Sequence, residues 1–341
     1  MTSHDLTVRG GGIFGLAIAW EAARRGARVR LIETVRIGAG SSGGLVGALA
    51  PHVPENWNEK KQFQLESLLM ADAFFGAASE ASGLPTGYAR LGRLQPLADQ
   101  AAVTLAQVRS NGAQVLWQGQ AAWQVVAADQ PWHPVSPTGM LVHDTLSARL
   151  HPRQTALALT AAIRARNGDI ILGEAADHGP TIHATGIQGL ADLSASLGRV
   201  MGSGVKGQAI LLDHDARSQP QLFVDGVHIV PHADGTTAIG STSEQVWTDP
   251  IGTDAALEDL LTKARSALPA LRGAAVLDRW AGIRPRAKSR APLLGRWPDR
   301  AGHYVANGGF KIGYGMAPKV AQVMVDLVLD GRDAIPDSFR L

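Results

Sequence analysis

A two-part α/β protein is what this sequence predicts, and three observations carry the prediction. A short apolar strand near the start opens into a glycine-rich turn and a helix. Further helix and strand segments of that kind lie in the middle and at the end. Between them run stretches with the alternation of sheet strands. The order implies two domains, each assembled from discontinuous pieces. A length of 341 residues suits two domains, and 45% hydrophobic residues supply ample core material.

Leu6–Arg9 is the first strand. After Gly10-Gly11-Gly12-Ile13-Phe14-Gly15 comes LAIAWEAARR, apolar at helical spacing and stopped by Gly26 as a C-cap. ARVRLIE is a second strand ending at Glu33, which completes a β-α-β unit. Ile37–Ala50 is rich in Gly, Ser and Ala and reads as a loop packed against something. A helix is expected over Leu65–Ser82, strands within Leu84–Gln95, and a helix over Ala101–Ser110. His151–Arg166 reads as an amphipathic helix followed by a strand at Asp169–Leu172. Thr181–Gly186 reads as a strand entering a glycine turn. Lys206–Leu212, Gln221–Pro231 and Thr236–Ser241 are expected sheet strands; Ala255–Ala267 and Ala317–Leu329 are the last helices.

A net charge of +2 argues against a chain built to bind polyanions, so a nucleic-acid partner is not expected. With no cysteine there is no disulfide, thiolate metal site or cysteinyl-linked cofactor. MTSHDLTVRG lacks a basic region followed by an apolar core, and apolar stretches such as Val320–Leu329 are short and carry Asp326. The expectation is a cytoplasmic protein with no membrane span. His228 and His232 are four apart, but on a strand with Pro231 between them, so no metal site is expected.

Gly10, Gly12 and Gly15 fit G-x-G-x-x-G after a strand and opening a helix. The first glycine makes the tight turn, the second lets a pyrophosphate approach, and the third lets helix and strand pack. The helix N-terminus offers N–H groups and a positive dipole end to the phosphates. Glu33 stands where an acid binds ribose hydroxyls and disfavours a 2′-phosphate. This fingerprint predicts a dinucleotide without separating NAD from FAD.

The remaining motifs do separate them. GGGIFGLAIAWEAARRGARVRLIE, GAGSSGGLVGALAPH at Gly38–His52, LHPRQTALAL at Leu150–Leu159 and ATG at Ala184–Gly186 stand in one order. VKGQAILL at Val205–Leu212, HIVPHADGTTAIGSTSE at His228–Glu244, DRWAGIRPRAKSRAPLLGR at Asp278–Arg296 and NGGFKIGYGMAP at Asn307–Pro318 follow. Together they resemble the D-amino-acid oxidase superfamily of FAD-dependent amine oxidoreductases, most of all glycine oxidases of the thiamin-pathway type, with sarcosine oxidase second.

The resemblance implies a Rossmann-like FAD-binding domain over 1–50, 145–203 and 279–341. It implies an antiparallel-sheet substrate domain over 51–144 and 204–278. It implies non-covalent FAD along Gly10, Gly12, Ile13, Phe14, Gly15, Glu33 and Thr34, and along Ser41, Ser42, Gly43, Gly44 and Leu45. Ala184, Thr185, Gly186, Arg284, Gly308, Gly309, Phe310, Lys311 and Ile312 would complete that site. The implied chemistry is oxidation of a small amino acid or secondary amine, with oxygen or another acceptor taking the electrons. A homo-oligomer is possible on the same resemblance.

Lys311 stands where glycine oxidases carry a carboxylate-gripping arginine and sarcosine oxidase a lysine. It reads as a carboxylate anchor, or else as a lysine that reaches solvent or bonds flavin or backbone. His52 would line the pocket or sit hydrogen-bonded at a domain junction, and His228 would line the pocket. Arg284 resembles a residue close to flavin and active site. Tyr314 reads equally as pocket wall or core. The alternative function is a tRNA-modifying flavoprotein acting on a carboxymethylaminomethyl-type amine.

Overall fold

The computed structural model describes residues 4–341. In chain order the first elements are β1 (Leu6–Arg9), α1 (Ile13–Arg24), β2 (Val29–Glu33), β3 (Ala48–Leu49), α2 (Glu59–Ser82), β4 (Arg93–Pro96), α3 (Gln100–Leu116) and β5 (Trp123–Ala127). Then come β6 (Met140–Asp144), β7 (Ala148–Arg149), α4 (Pro152–Ala165), β8 (Asp169–Leu172), β9 (Thr181–His183), α5 (Gly186–Leu197) and β10 (Gly202–Asp213). The last are β11 (Gln221–Val224), β12 (Val227–Pro231), β13 (Thr236–Gly240), α6 (Ala255–Ala267), β14 (Val276–Ala287), β15 (Leu293–Arg296), β16 (His303–Asn307) and α7 (Gly313–Leu329).

Two large sheets organise these elements. The first has the order β15-β16-β9-β1-β2-β8. Its strands run parallel except for β15 at the edge. The second has the order β14-β10-β13-β12-β11-β4-β6-β5 and is antiparallel apart from the β11–β4 pair. A small sheet, β3 with β7, is the third. The architecture is the mixed α/β one expected, a parallel nucleotide-type sheet beside an antiparallel one.

The boundaries expected at 203/204 and 278/279 fall inside β10 and β14, two strands of 12 residues each. Their ladder runs from Gly202↔Ala287 to Leu212↔Val276. The antiparallel sheet therefore reaches past those boundaries to the edge of the parallel one, with Gly202 meeting Leu190 of α5. The helix expected from Leu65 starts at Glu59, because the Asn58 side chain accepts from Lys61 N and caps it. Although α2 lies in the segment expected to belong to the substrate part, Phe63, Leu68, Phe74 and Phe75 share one core with α1, α4 and α7. A second core lies between α6 and the antiparallel sheet, around Leu257, Leu261, Ile210 and Ile239. Burying one such Leu or Phe side chain stabilises the fold by about 1.5–3 kcal/mol.

The 20-residue stretch Phe310–Leu329 has a mean hydropathy of 1.2, long and apolar enough to cross a membrane. It is longer than the apolar run read from the sequence, and most of it is buried inside the fold. Its Asp326 is paired with Arg25 at 2.7 Å and Arg332 at 2.8 Å. Pro318 interrupts the hydrogen-bond ladder of α7, and Lys319 N donates to Ser67 Oγ of α2 at 3.2 Å.

Candidate active site

The ends of β1, β2, β9 and β16 and the flank of β14 wall one cavity of about 900 Å³. The first wall is the β1–α1 turn. Gly10 has φ +107, and a Cβ there would stand 2.3 Å from Ala184 O. A Cβ on Gly15 would stand 1.9 Å from Gly10 O. Strand, turn and helix can approach this closely only without side chains. α1 has no acidic residue in its first turn, and Ile13 N donates to Ser42 Oγ at 2.9 Å. The Glu33 carboxylate accepts from Gly11 N at 2.7 Å and Val35 N at 2.9 Å. Each of its oxygens keeps lone-pair capacity for a hydroxyl.

Gly12, Ile13, Phe14, Thr34, Ser41, Ser42, Ala184, Thr185 and Gly186 line the same cavity. So do Arg284, Gly308, Gly309, Phe310, Lys311 and Tyr314. A long slot with a bare glycine turn, a helix N-terminus with no acidic residue in its first turn and an acid at its far end fits a dinucleotide.

Several expected contacts lie behind the wall. Gly15 packs on Gly10, and Gly43 on Gly38, whose O a Cβ would meet at 2.2 Å. Gly44 lies 3.3 Å from the Trp280 ring by the same measure, and Leu45 is buried with Ala209 and Ala238. Ile312 packs on the large core. These residues shape the slot from outside, because the Ser41–Gly43 turn exposes only its two serines to it.

At the other end the cations gather. Arg284 is 8% exposed, and its only side-chain hydrogen bond among the described residues runs from Nη1 to Thr242 O at 3.3 Å. Burial lowers its pKa to about 10, and the Glu244 carboxylate opposes that shift. Lys311 is exposed into the cavity. Burial of part of its chain and the charge of Arg284 lower its pKa. Among the described residues neither cation forms an ion pair. Phe310 holds φ +46, a conformation rare for a bulky side chain. Its ring lies between Lys311 Nζ at 5.8 Å and Arg286 Cζ at 5.9 Å.

The histidines divide. His52 donates from its backbone to Gln64 Oε1 at 2.8 Å, and its Nδ1 meets the same atom at 2.5 Å. It is a hydrogen-bonded junction residue and does not line the cavity; burial lowers its pKa. His228 also stands off the cavity wall, its ring tilted against Phe223 at 4.6 Å. It is nonetheless close to the cations: burial, then Arg93, Lys311 and Arg284, push its pKa to about 3. Its buried Nδ1 has no protein partner. His232 packs against His151 at 4.5 Å, and among the described residues no His, Asp and Glu side chains gather as a metal site would need.

Tyr314 is both wall and strut. Its hydroxyl donates to Ser42 O at 2.6 Å with Pro152 O at 3.3 Å, and burial raises its pKa. Asn307 went unassigned in the sequence. Its Nδ2 donates to Gly186 O at 2.8 Å and its Oδ1 accepts from Gly308 N at 2.7 Å, so it locks two glycine turns together. Arg9, His183, Trp297 and Arg300 line the slot as well. They stand on separate strands and loops, and no local motif marks them.

Known proteins share these features. The sequence profile of the family described as FAD dependent oxidoreductase, DAO, matches residues 5–327. The chain is 28% identical over 361 residues to the bifunctional protein ThiO/ThiG of Synechocystis sp., covering 96% of this chain and 52% of that protein. It is 24% identical over 355 residues to the glycine oxidase of Bacillus licheniformis, covering 96% and 93%. The chain thus spans about half the length of the bifunctional relative, at 52%, and nearly all of the glycine oxidase, at 93%. The crystal structure of glycine oxidase from Geobacillus kaustophilus superposes with a TM-score of 0.84 at 22% identity, over 100% of this chain and 99% of that one. With the profile running from the first strand into the last helix, the chain belongs to the family of FAD dependent oxidoreductases.

Proposed function

We propose that the chain oxidises the amine carbon of a small amino acid or secondary amine that carries a carboxylate. The observation that carries this reading is the pair Arg284 and Lys311, cations at one end of the slot that form no ion pair with a carboxylate among the described residues. An anionic substrate group is what such a pair attracts.

In this reading Gly12, the α1 N-terminus, Glu33 and Gly308–Lys311 would hold FAD in the slot. FAD, when bound, supplies the hydride acceptor: the α C–H leaves as hydride, the amine becomes an imine, and water hydrolyses it. The residues of the chain bind and orient. Arg284 and Lys311 take the carboxylate, which turns the α-carbon toward the ring. His228, behind the wall and neutral, adds no charge to that end of the slot. No protein base is needed if the amine binds deprotonated, and none is assigned.

The test is anaerobic titration of the holoprotein with glycine, sarcosine, D-alanine, D-proline and L-proline. Loss of the oxidised flavin bands with one of them supports the reading. If none bleaches the flavin, the reading fails and a carboxylate-free amine or a tRNA-borne amine takes its place.

A further inference from the structure

On β10 and β14, Gly207 and Gly282 stand directly opposite each other and leave a bare patch on the antiparallel sheet. Two flat side chains cover it. Trp280 lies over Gly282, where a Cβ would meet Cζ2 at 2.4 Å. The Arg284 guanidinium lies over Gly207, where a Cβ would stand 1.9 Å from Nη2, 2.0 Å from Nη1 and 2.1 Å from Cζ. The whole guanidinium plane is therefore seated on one glycine. Its edge is held by Thr242 O, and the turn carrying Thr242 is held in turn. Thr242 Oγ1 donates to Glu244 Oε1 at 2.5 Å, and Gln208 Nε2 reaches the same oxygen at 3.0 Å. Glu244 N and Lys206 N also exchange hydrogen bonds with each other's carbonyls at 2.9 Å.

We propose that Gly207 is a specificity-determining residue: its missing side chain seats the Arg284 guanidinium and so fixes the fork that receives the substrate carboxylate. This rests on the carboxylate reading of the site given above. A side chain at 207 would not meet rigid backbone. It would meet the far end of a long side chain, which can swing away. The fold then survives while the cation leaves its place. Gly207 touches no substrate in this account and acts only through Arg284.

The probe is acetate, an unreactive carboxylate, titrated into the holoprotein while the visible flavin spectrum is followed. Gly207→Ala should keep its FAD and its near-ultraviolet circular dichroism. It should bind acetate about ten- to a hundredfold more weakly, the loss expected for a displaced charge-assisted hydrogen-bond donor. With the amino acid that bleaches wild type, KM should rise by a similar factor while kcat changes less. In an Arg284→Ala background the same glycine change should alter acetate binding no further. Unchanged acetate affinity in Gly207→Ala overturns the proposal. If Gly207→Ala loses its fold, Gly207→Ala/Arg284→Ala removes the collision and should recover it; failure to recover overturns the proposal too. Wild-type protein that binds no acetate refutes the carboxylate reading itself, and this inference with it.

Discussion

Lys311 and Arg284 stand in different environments. Arg284 is buried flat on the sheet, while Lys311 reaches into the cavity from a strained turn. Burial and the neighbouring guanidinium hold the Lys311 pKa below the usual lysine value. Substrate affinity should therefore fall at alkaline pH as Lys311 loses its proton, at a lower pH than a free lysine would titrate. Lys311→Arg holds its charge to higher pH, so the alkaline rise in KM, measured from pH 7 to 11, should begin later in that variant than in wild type, and both should rise once Arg284, held at about 10, loses its own proton. A wild-type profile flat to the end would remove Lys311 from binding. His228, pushed to about 3, should show no ring titration between pH 5 and 9 by NMR; an inflection near 6.5 would place it away from the cations. Lys311 was legible in the sequence because it stands alone among glycines. His52 was not resolved there, since only folding brings Gln64 to it, 12 residues along the chain.

Among the elements, the glycine turn before α1 makes a sharp contrast available. A Cβ on Gly15 would meet backbone, Gly10 O at 1.9 Å, which cannot give way. A Cβ on Gly12 would meet only Ser42 Oγ at 3.2 Å, a side chain that can shift. Gly15→Ala should cost folding, by at least the 1–3 kcal/mol typical of overpacking. Gly12→Ala should fold normally and bind FAD about tenfold or more weakly, because the methyl group fills the phosphate approach. Denaturation midpoints and flavin content separate the two. Elements with a clear period and caps were legible: α4 and α6 lie within a residue or so of their expected ends. α5 was missed, because ATG read only as a turn although Gly186 also starts a helix. β5, β6, β15 and β16 were missed because strands of 4 or 5 residues carry too little pattern to separate from loops. The end of α2 was legible from Gly83, which takes φ +69 to close it; its start, six residues upstream of the apolar run, was not.

Taken as one molecule, the chain buries several histidines uncharged. His228 and His232 are pushed to about 3 and His183 to about 4, in each case chiefly by burial, from an ordinary value of 6.5. Their folded pKa values lie below the unfolded one, so the unfolded chain binds more protons as pH falls. Their contribution is present in full above about 6.5 and is lost as pH falls toward 4 and then 3. Each can add a slope of up to about 1.4 kcal/mol per pH unit in that window. Tm should be level from pH 7 to 8 and fall steeply below 6, and His232→Gln should soften the fall. A Tm that stays level down to pH 4.5 would contradict this. The parallel sheet was legible as a class from its first β-α-β unit. Its order was not, since β1 lies between β2 and a strand some 170 residues away, Thr7 against Thr181. That separation also sets a timetable. On a ribosome the Gly10 turn emerges long before Ala184, and Asn307 comes later still, although all three close one cradle. A nascent chain cannot close that cradle until residue 307 is made. Full capture of the cofactor then waits on residue 307, and cells short of riboflavin should accumulate chains that are protease-sensitive until FAD is added back.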